Sequence, residues 1–459
     1  MSQQSADHIE YELDDKPPLR EAIPLGLQHV FAMFLGNVAP PLIIAGAVGL
    51  ATGETTFLVQ MALLVAGAAT LVQVFTVGPV GSNLPIMMGT SFAFVGPLVA
   101  ISSQFGLAAA FGACLVGAFV EVGIGFSYDH IDRFFPPLVS GIVVMLIGLT
   151  LIPVGMDYAA GGAGAADYGS LMNIGLASLV FFVTLGLNQF FTGVLRITSV
   201  FIGILVGYIA AIALGVADFS AVAQAGWIAV PTPLRFGIAF EPSAIITIAF
   251  LYAVTAVETI GDMTGVVAAA NREPTRDELR GGLLADGIMS AIAAVFSAFP
   301  NTSFSQNVGV VNFTGVLSRY VVAIGGGLLI VAGFVPKVAA LVTAMPDAVL
   351  GGGALILFAM IFSSGVGIID REVDLNHRNT TILAVSVALG LAVEVRPDAI
   401  ANFPQIVQTV IGSGLIMGGI SALVLNIVIP EGSSRTPETE MNAETDTQLS
   451  GDGPVVDED

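Results

Sequence analysis

The sequence predicts an all-α polytopic membrane protein, and three observations predict it. Of 459 residues, 55% are apolar and only 11% are charged, whereas an ordinary soluble chain carries roughly 25% charged residues. Mean hydropathy is +0.89. The apolar residues also fall into blocks of about 20, the length needed to cross a hydrocarbon core about 30 Å thick. The single cysteine, Cys114, excludes a disulfide framework within the chain and a Cys-based metal cluster. Of four histidines only His29 falls in an apolar run, too few for a His-built metal site, so no cofactor is expected.

Fourteen apolar runs mark candidate spans, near residues 24–49, 56–77, 84–101, 105–126, 134–154, 170–190, 198–216, 243–268, 281–299, 302–318, 320–343, 346–367, 379–395 and 405–429. An even number of spans puts both termini on one side. Eleven of the fourteen Lys and Arg residues then share that side, and only Arg235, Lys337 and Arg396 lie opposite. This bias places both termini in the cytoplasm of a cell-membrane protein.

The first run carries His29, which is read either as a proton relay or as a hydrogen-bonded packing residue. The third run is interrupted: residues 78–97 read GPVGSNLPIMMGTSFAFVGP. The tenth is interrupted as well, with FPNTSFSQNVGVVNFTG at 299–315. Irregular backbone at membrane depth survives only against protein or along a cavity. Both stretches therefore predict short extended segments leading into half-helices that meet back to back. Their N-termini would offer backbone N–H groups and partial positive charge to a ligand. Phe92 and Phe94 at the first break suit either stacking on a flat base or ordinary packing.

In the eighth run Glu258 and Asp262 are four residues apart, on one helical face. A charged side chain in a span costs roughly 2.5–3.5 kcal/mol on insertion scales, so such a pair points to function or to a tie between helices. Asp286 in the ninth run is either a proton carrier or a helix tie. Gln306 and Asn307 stand at the tenth-run break. A primary amide offers donors and an acceptor in one plane, matching the alternating N–H and C=O edge of an oxopurine or pyrimidine. The alternative is that these amides satisfy backbone groups freed at the break. Glu121 and Glu394 fall near run ends and are expected to be solvated or snorkelling; Trp227 and Tyr252 are compatible with interface anchoring.

Two segments repeat. Thr90-Ser91-Phe92 recurs as Thr302-Ser303-Phe304, 212 residues later, and Pro136, Val139 and Gly141 recur as Pro346, Val349 and Gly351, 210 residues later. Both offsets correspond to seven spans. An odd-numbered repeat re-enters from the opposite face, so the halves are inverted, an arrangement that marks secondary transporters with a substrate site near the midplane. An enzyme would need a nucleophile–base or metal constellation, which His29 and scattered carboxylates do not supply.

The net charge of −21 is concentrated at the ends. Residues 1–24 hold six acids against Lys16 and Arg20, a charge of −4, and the tail from Glu431 holds nine acids against Arg435, a charge of −8. Both read as solvated acidic tails. They suit a salty cytoplasm, and a halophilic archaeal source is expected.

These residues resemble the nucleobase–ascorbate transporter family, also called nucleobase:cation symporter-2. The resemblance spans nearly everything between the tails. It is most specific at Gln306-Asn307-Val308-Gly309 with Thr314-Gly315, and is supported by GLQHVFAMFLGNVAPPLI at 26–43 and ETIGD at 258–262. The resemblance implies fourteen spans in two inverted seven-span repeats. A core domain would comprise 24–126 and 243–343, and a gate domain 134–216 and 346–429, with tails at 1–23 and 430–459. It further implies a homodimer through the gate, proton coupling with sodium as the alternative ion, and an elevator-like movement. Glu258 and Gln306 would bind the base, with Ser91, Phe92 and Asn307 completing the site. Asp262, Asp286, His29 and Thr314 would support coupling. The Gln-Asn and Glu-x-x-x-Asp pairing resembles the xanthine and uric acid branch; a uracil or broader nucleobase permease, or an anion carrier of the same fold, are the alternatives. No nucleic-acid partner is expected.

Overall fold

The computed structural model describes residues 9–128, 136–404, 407–408 and 411–430. The chain is mostly helical. In order, the helices are α1 (Leu19–Ala47), α2 (Thr52–Val74), α3 (Val95–Phe105), α4 (Leu107–Phe126), α5 (Pro137–Ala159), α6 (Leu171–Phe190), α7 (Val194–Ile197), α8 (Ser199–Ala213), α9 (Ser220–Gln224), α10 (Pro242–Ala268), α11 (Arg276–Val295), α12 (Ser305–Thr314), α13 (Arg319–Phe334), α14 (Pro336–Thr343), α15 (Asp347–Glu372), α16 (His377–Val395) and α17 (Gly414–Val428). Among the described residues eight of these are long and apolar enough to cross a membrane, which makes this a multi-pass membrane protein.

The two interrupted runs contain the only strands among the described residues. Strand β1 (Met88–Thr90) precedes a 3-10 turn at Phe92–Phe94 and then α3, while β2 (Asn301–Ser303) leads into α12. The strands pair antiparallel, Met88 with Ser303, Gly89 with Thr302 and Thr90 with Asn301. The bonds Ser91 N to Pro300 O (2.9 Å) and Phe304 N to Met87 O (3.1 Å) extend the pairing. Backbone groups freed by the breaks thus satisfy one another, as burial in an apolar medium requires. At 1.5 Å per residue, the 11 residues of α3 and 10 of α12 each reach about half of a 30 Å core.

A second pair of helices embodies the other repeat. Pro136 and Pro346 stand at equivalent N-caps, and Val139 and Val349 each donate back to the proline carbonyl at 2.9 Å. Helices α5 and α15 then pack antiparallel, with small residues at both ends of the contact. A methyl group added at Gly141 would meet the Gly365 carbonyl at 3.1 Å, and one at Gly365 would meet the Gly141 carbonyl at 2.7 Å. Gly351, at the other end, lies against Tyr158 and Ala159.

Several expectations are corrected. The run at 320–343 is not one straight helix: α13 and α14 meet at an angle of 84°. Pro336 begins α14 and lacks the N–H that would continue the preceding helix. Residues from Glu10 onward are not a free tail. Glu10 N donates to Gly315 O at 3.0 Å, Leu317 N to Tyr11 O at 2.9 Å and Arg319 N to Leu13 O at 3.1 Å. Arg319 completes the clamp by pairing with Asp14 at 2.6 Å. The C-terminal tail from 431 and residues 134–135 of the fifth run lie outside the described residues.

Candidate functional site

The breaks gather most of the polar side chains singled out above. Helix α10 starts at Pro242 and stays helical throughout, so Glu258 and Asp262 share a face about 6 Å apart along the axis. Asp262 is buried and spoken for: Ser303 Oγ donates to its Oδ2 at 2.5 Å and Ser305 Oγ to its Oδ1 at 2.7 Å. These bonds fix the entry of α12 to the last third of α10. Three residues further along both helices, Gly265 faces Val308 closely enough that an added methyl would lie 2.9 Å from the valine Cγ1. The two helices therefore run side by side in the same direction.

That geometry sets Gln306, next to Ser305, about one helical turn from the level of Glu258. Both side chains are half-buried, and neither makes a side-chain hydrogen bond within the described residues. Gly261 and Gly309 lie one turn beyond Glu258 and Gln306, and both are exposed, with no atom within 4 Å of where a Cβ would stand. A carboxyl group on α10 and a primary amide on α12 are thus each followed, one turn on, by a glycine that faces open space. Phe92 meets Phe358 of α15 edge-on, with ring centroids 5.3 Å apart, and Ser91 caps the 3-10 turn by accepting from Ala93 N. Ser91 and Phe92 are both buried. Phe94 packs instead on Tyr252, centroids 4.8 Å apart.

The remaining candidates make hydrogen bonds around these elements. Asn307 bridges to His29 on α1, donating to its carbonyl at 2.9 Å with Nδ1 at 3.0 Å. Asp286 is fully buried and accepts from Thr259 Oγ1 of α10 at 2.5 Å. Thr259 Oγ1 in turn lies 3.4 Å from Thr302 Oγ1 of β2. Thr314 lies away from the breaks, closing α12 by donating to Val310 O at 2.8 Å and accepting from Val316 N. A cavity of about 810 Å³ includes Gln60, Asp218, Arg235 and Asp347 in its walls and neither Glu258 nor Gln306.

Two sequence readings are overturned here, for Tyr252 and Glu121, and the one for Glu394 is met in part. Tyr252 is not at the interface; it is fully buried and donates to Cys114 O at 3.2 Å. Glu394 is half-buried and accepts from Gly414 N at 3.0 Å. Glu121 has no exposure at all. Its nearness to the end of its apolar run suggested solvent, but the neighbours that bury it come from helices distant in sequence.

The sequence model of the Permease family (Xan_ur_permease) matches residues 20–399, most of the chain and both breaks. The chain belongs to this family, the nucleobase–ascorbate transporters. It is therefore a permease and not an enzyme. The xanthine permease of Bacillus subtilis (strain 168) is 37% identical over 409 residues, covering 89% of this chain and 93% of that one. Uric acid permease PucK of the same organism is 38% identical over 405 residues, covering 88% and 94%. The solved transmembrane domain of a cyanobacterium bicarbonate transporter, BicA, matches with a TM-score of 0.57 at 15% identity, covering 91% of this permease and all of that chain. That likeness identifies a shared fold and nothing finer.

Proposed function

We propose that this permease carries an oxopurine, xanthine or uric acid, into the cell together with a proton. The observation that carries the reading is the pair Glu258 and Gln306, each half-buried and each without a hydrogen-bonding partner among the described residues. A carboxyl accepts from a ring N–H, and an amide both donates to a carbonyl and accepts from a neighbouring N–H, so together they satisfy two edges of an oxopurine. Buried polar groups left unpaired cost about 1–3 kcal/mol each, which gives such a site its selectivity. Phe92 supplies an aromatic face from the other break. The relatives named for xanthine and for uric acid are equally similar to this chain, and they support the oxopurine class while leaving both members in it.

Fourteen spans in two inverted repeats, with both termini cytoplasmic in the cell membrane, form part of the same proposal. So do a core of 24–126 and 243–343 moving as an elevator against a gate of 134–216 and 346–429, and a homodimer through that gate. The paired strands and the α5–α15 contact support the inverted halves. Uptake of labelled xanthine and urate into proteoliposomes, with and without an imposed pH gradient, tests both claims. Competition by unlabelled hypoxanthine, guanine and uracil ranks the substrates. Accumulation indifferent to the gradient removes proton coupling, and absence of purine uptake removes the substrate class.

A further inference from the structure

Glu121 has no part in the base site, yet it is among the most enclosed carboxyls in the chain. It is fully buried on α4, and neither of its oxygens meets a donor among the described residues. Val122, next to it in the chain, packs against Gly287, next to Asp286 on α11, so the two acids stand at the same level of the α4–α11 contact. Asp286 is equally buried; Thr259 satisfies its Oδ2, and its Oδ1 has no donor. Three of the four oxygens in this pair are thus unserved. The helices meet this closely because glycines line the contact: a methyl at Gly287 would stand 2.9 Å from Val122 N, and one at Gly125 3.2 Å from Leu284 N.

Two ionised carboxyls cannot rest against each other in an apolar interior without a counter-charge. The surroundings supply none among the described residues. From α10 the contact is met by Tyr252, whose hydroxyl is spent on Cys114 O, and by Thr259, whose bond to Asp286 brings its chain neighbour Glu258 and, three residues on, Asp262. On α4 itself Cys114 is buried, and α3 brings no titratable group. The nearest cation on α11, Arg280, lies six residues from Asp286, about 9 Å along the helix, with its guanidinium over the Phe126 ring at 5.5 Å. No group of three or more His, Cys, Asp or Glu side chains suited to a metal occurs among the described residues. What remains to neutralise the pair is a proton on one of its own oxygens.

We infer that Glu121 and Asp286 share one proton between α4 and α11, and that this is the proton carried with the substrate. The inference rests on the proton-coupled reading above. Loaded, the pair bears a single negative charge and one oxygen donates to its neighbour across the contact. Release of the proton to the cytoplasm leaves two ionised carboxyls in contact, a state the interior disfavours, so reloading from outside is required before the next cycle. Only O–H bonds form and break. The pair communicates with the base site through Thr259, which holds Asp286 and is the residue next to Glu258.

The test uses the whole protein in proteoliposomes. Wild type is assayed first for xanthine and urate uptake; if it carries neither, the functional proposal fails, whatever Glu121 does. Given wild-type uptake, Glu121→Gln is expected to lose gradient-driven accumulation by at least about tenfold, as for removal of a membrane proton carrier. Counterflow of labelled against unlabelled xanthine should persist, with affinity within about threefold, less than 1 kcal/mol. Infrared difference spectra should show a protonated-carboxyl C=O band in wild type that Glu121→Gln removes. Gradient-driven accumulation equal to wild type in Glu121→Gln, or counterflow lost together with accumulation in a folded variant, overturns the inference. So does wild-type accumulation that follows sodium. Should Glu121→Gln fail to fold, Glu121→Asp keeps a carboxyl: retained accumulation with a displaced pH optimum supports the shared proton, and an unchanged pH profile overturns it.

Discussion

Asn307, on the half-helix α12, donates to the backbone carbonyl of His29 on α1 at 2.9 Å, with His29 Nδ1 a further 3.0 Å contact of the same nitrogen. Both amide hydrogens are used if Nδ1 accepts, which places the ring proton on Nε2 and keeps the imidazole neutral. The amide thereby holds two segments 278 residues apart in sequence. Its Oδ1 is buried and unpartnered. Asn307 thus ties the first turn of α12, and with it Gln306, to α1.

Asn307→Ala should therefore act through geometry. It removes both bonds and leaves the buried His29 ring nitrogen without its partner, at a cost of about 1–3 kcal/mol. Thermal unfolding should fall accordingly, and substrate affinity should drop with it. Asn307→Gln, too long for the same reach, should behave like the alanine variant. Full stability in both variants would show that the bridge to His29 carries no weight.

Asp262 gives a second prediction. Its two oxygens accept from Ser303 and Ser305, on either side of the β2–α12 junction. Hydrogen bonds to a charged acceptor contribute about 1.5–3 kcal/mol each. Asp262→Ala should therefore destabilise more than Ser303→Ala or Ser305→Ala alone. The serine effects should not add, because both end on one carboxyl. Chemical denaturation of the four proteins, the double serine variant included, measures this. Strict additivity would argue against a shared carboxyl anchor.

Glu258 and Gln306 should show the opposite pattern. Neither side chain makes a hydrogen bond among the described residues, so Glu258→Gln and Gln306→Ala should change stability by no more than about 0.5 kcal/mol, as for substitutions that break no contact. Binding of xanthine or urate should weaken by about a hundredfold or more, the ~2.7 kcal/mol of one well-made polar recognition contact. Wild-type affinity in both variants would remove the base site from this position.

The features that direct these experiments were unequally legible in the sequence. The breaks were, because Pro, Gly, Asn and Ser at membrane depth have few physical explanations, and Thr90-Ser91-Phe92 repeats at Thr302-Ser303-Phe304. Glu258, Asp262 and Gln306 were legible for the same reason: a costly side chain in an apolar run is conspicuous. The bend at Pro336 was not, since apolar residues continue through it. Glu121 was misread because position along a run measures depth, whereas burial is decided by what packs alongside. Nothing within α4 announces that α11 presents glycines and an aspartate to it. The clasp of residues 10–15 on 315–319 escaped notice because it is built from backbone hydrogen bonds, which composition does not record.

The α5–α15 contact supplies a last prediction. Gly141 and Gly365 approach each other closely enough that a methyl on either would meet the carbonyl of the other, at 3.1 and 2.7 Å. Substituting leucine adds a branched side chain to a surface where even a methyl crowds the backbone, and overpacking of this kind costs typically ~1–3 kcal/mol. Gly141→Leu should lower thermal stability by that order and open the packing between the two helices. Gly175, on α6 with nothing within 4 Å of where its Cβ would stand, is the control: Gly175→Ala removes a helix-disfavouring glycine and should stabilise slightly, by up to about 1 kcal/mol. If Gly141→Leu melts with wild type, α5 and α15 are not held at this distance in the membrane. Phe358 of α15 would then lose its fixed position against Phe92, and the aromatic wall beside the base site with it.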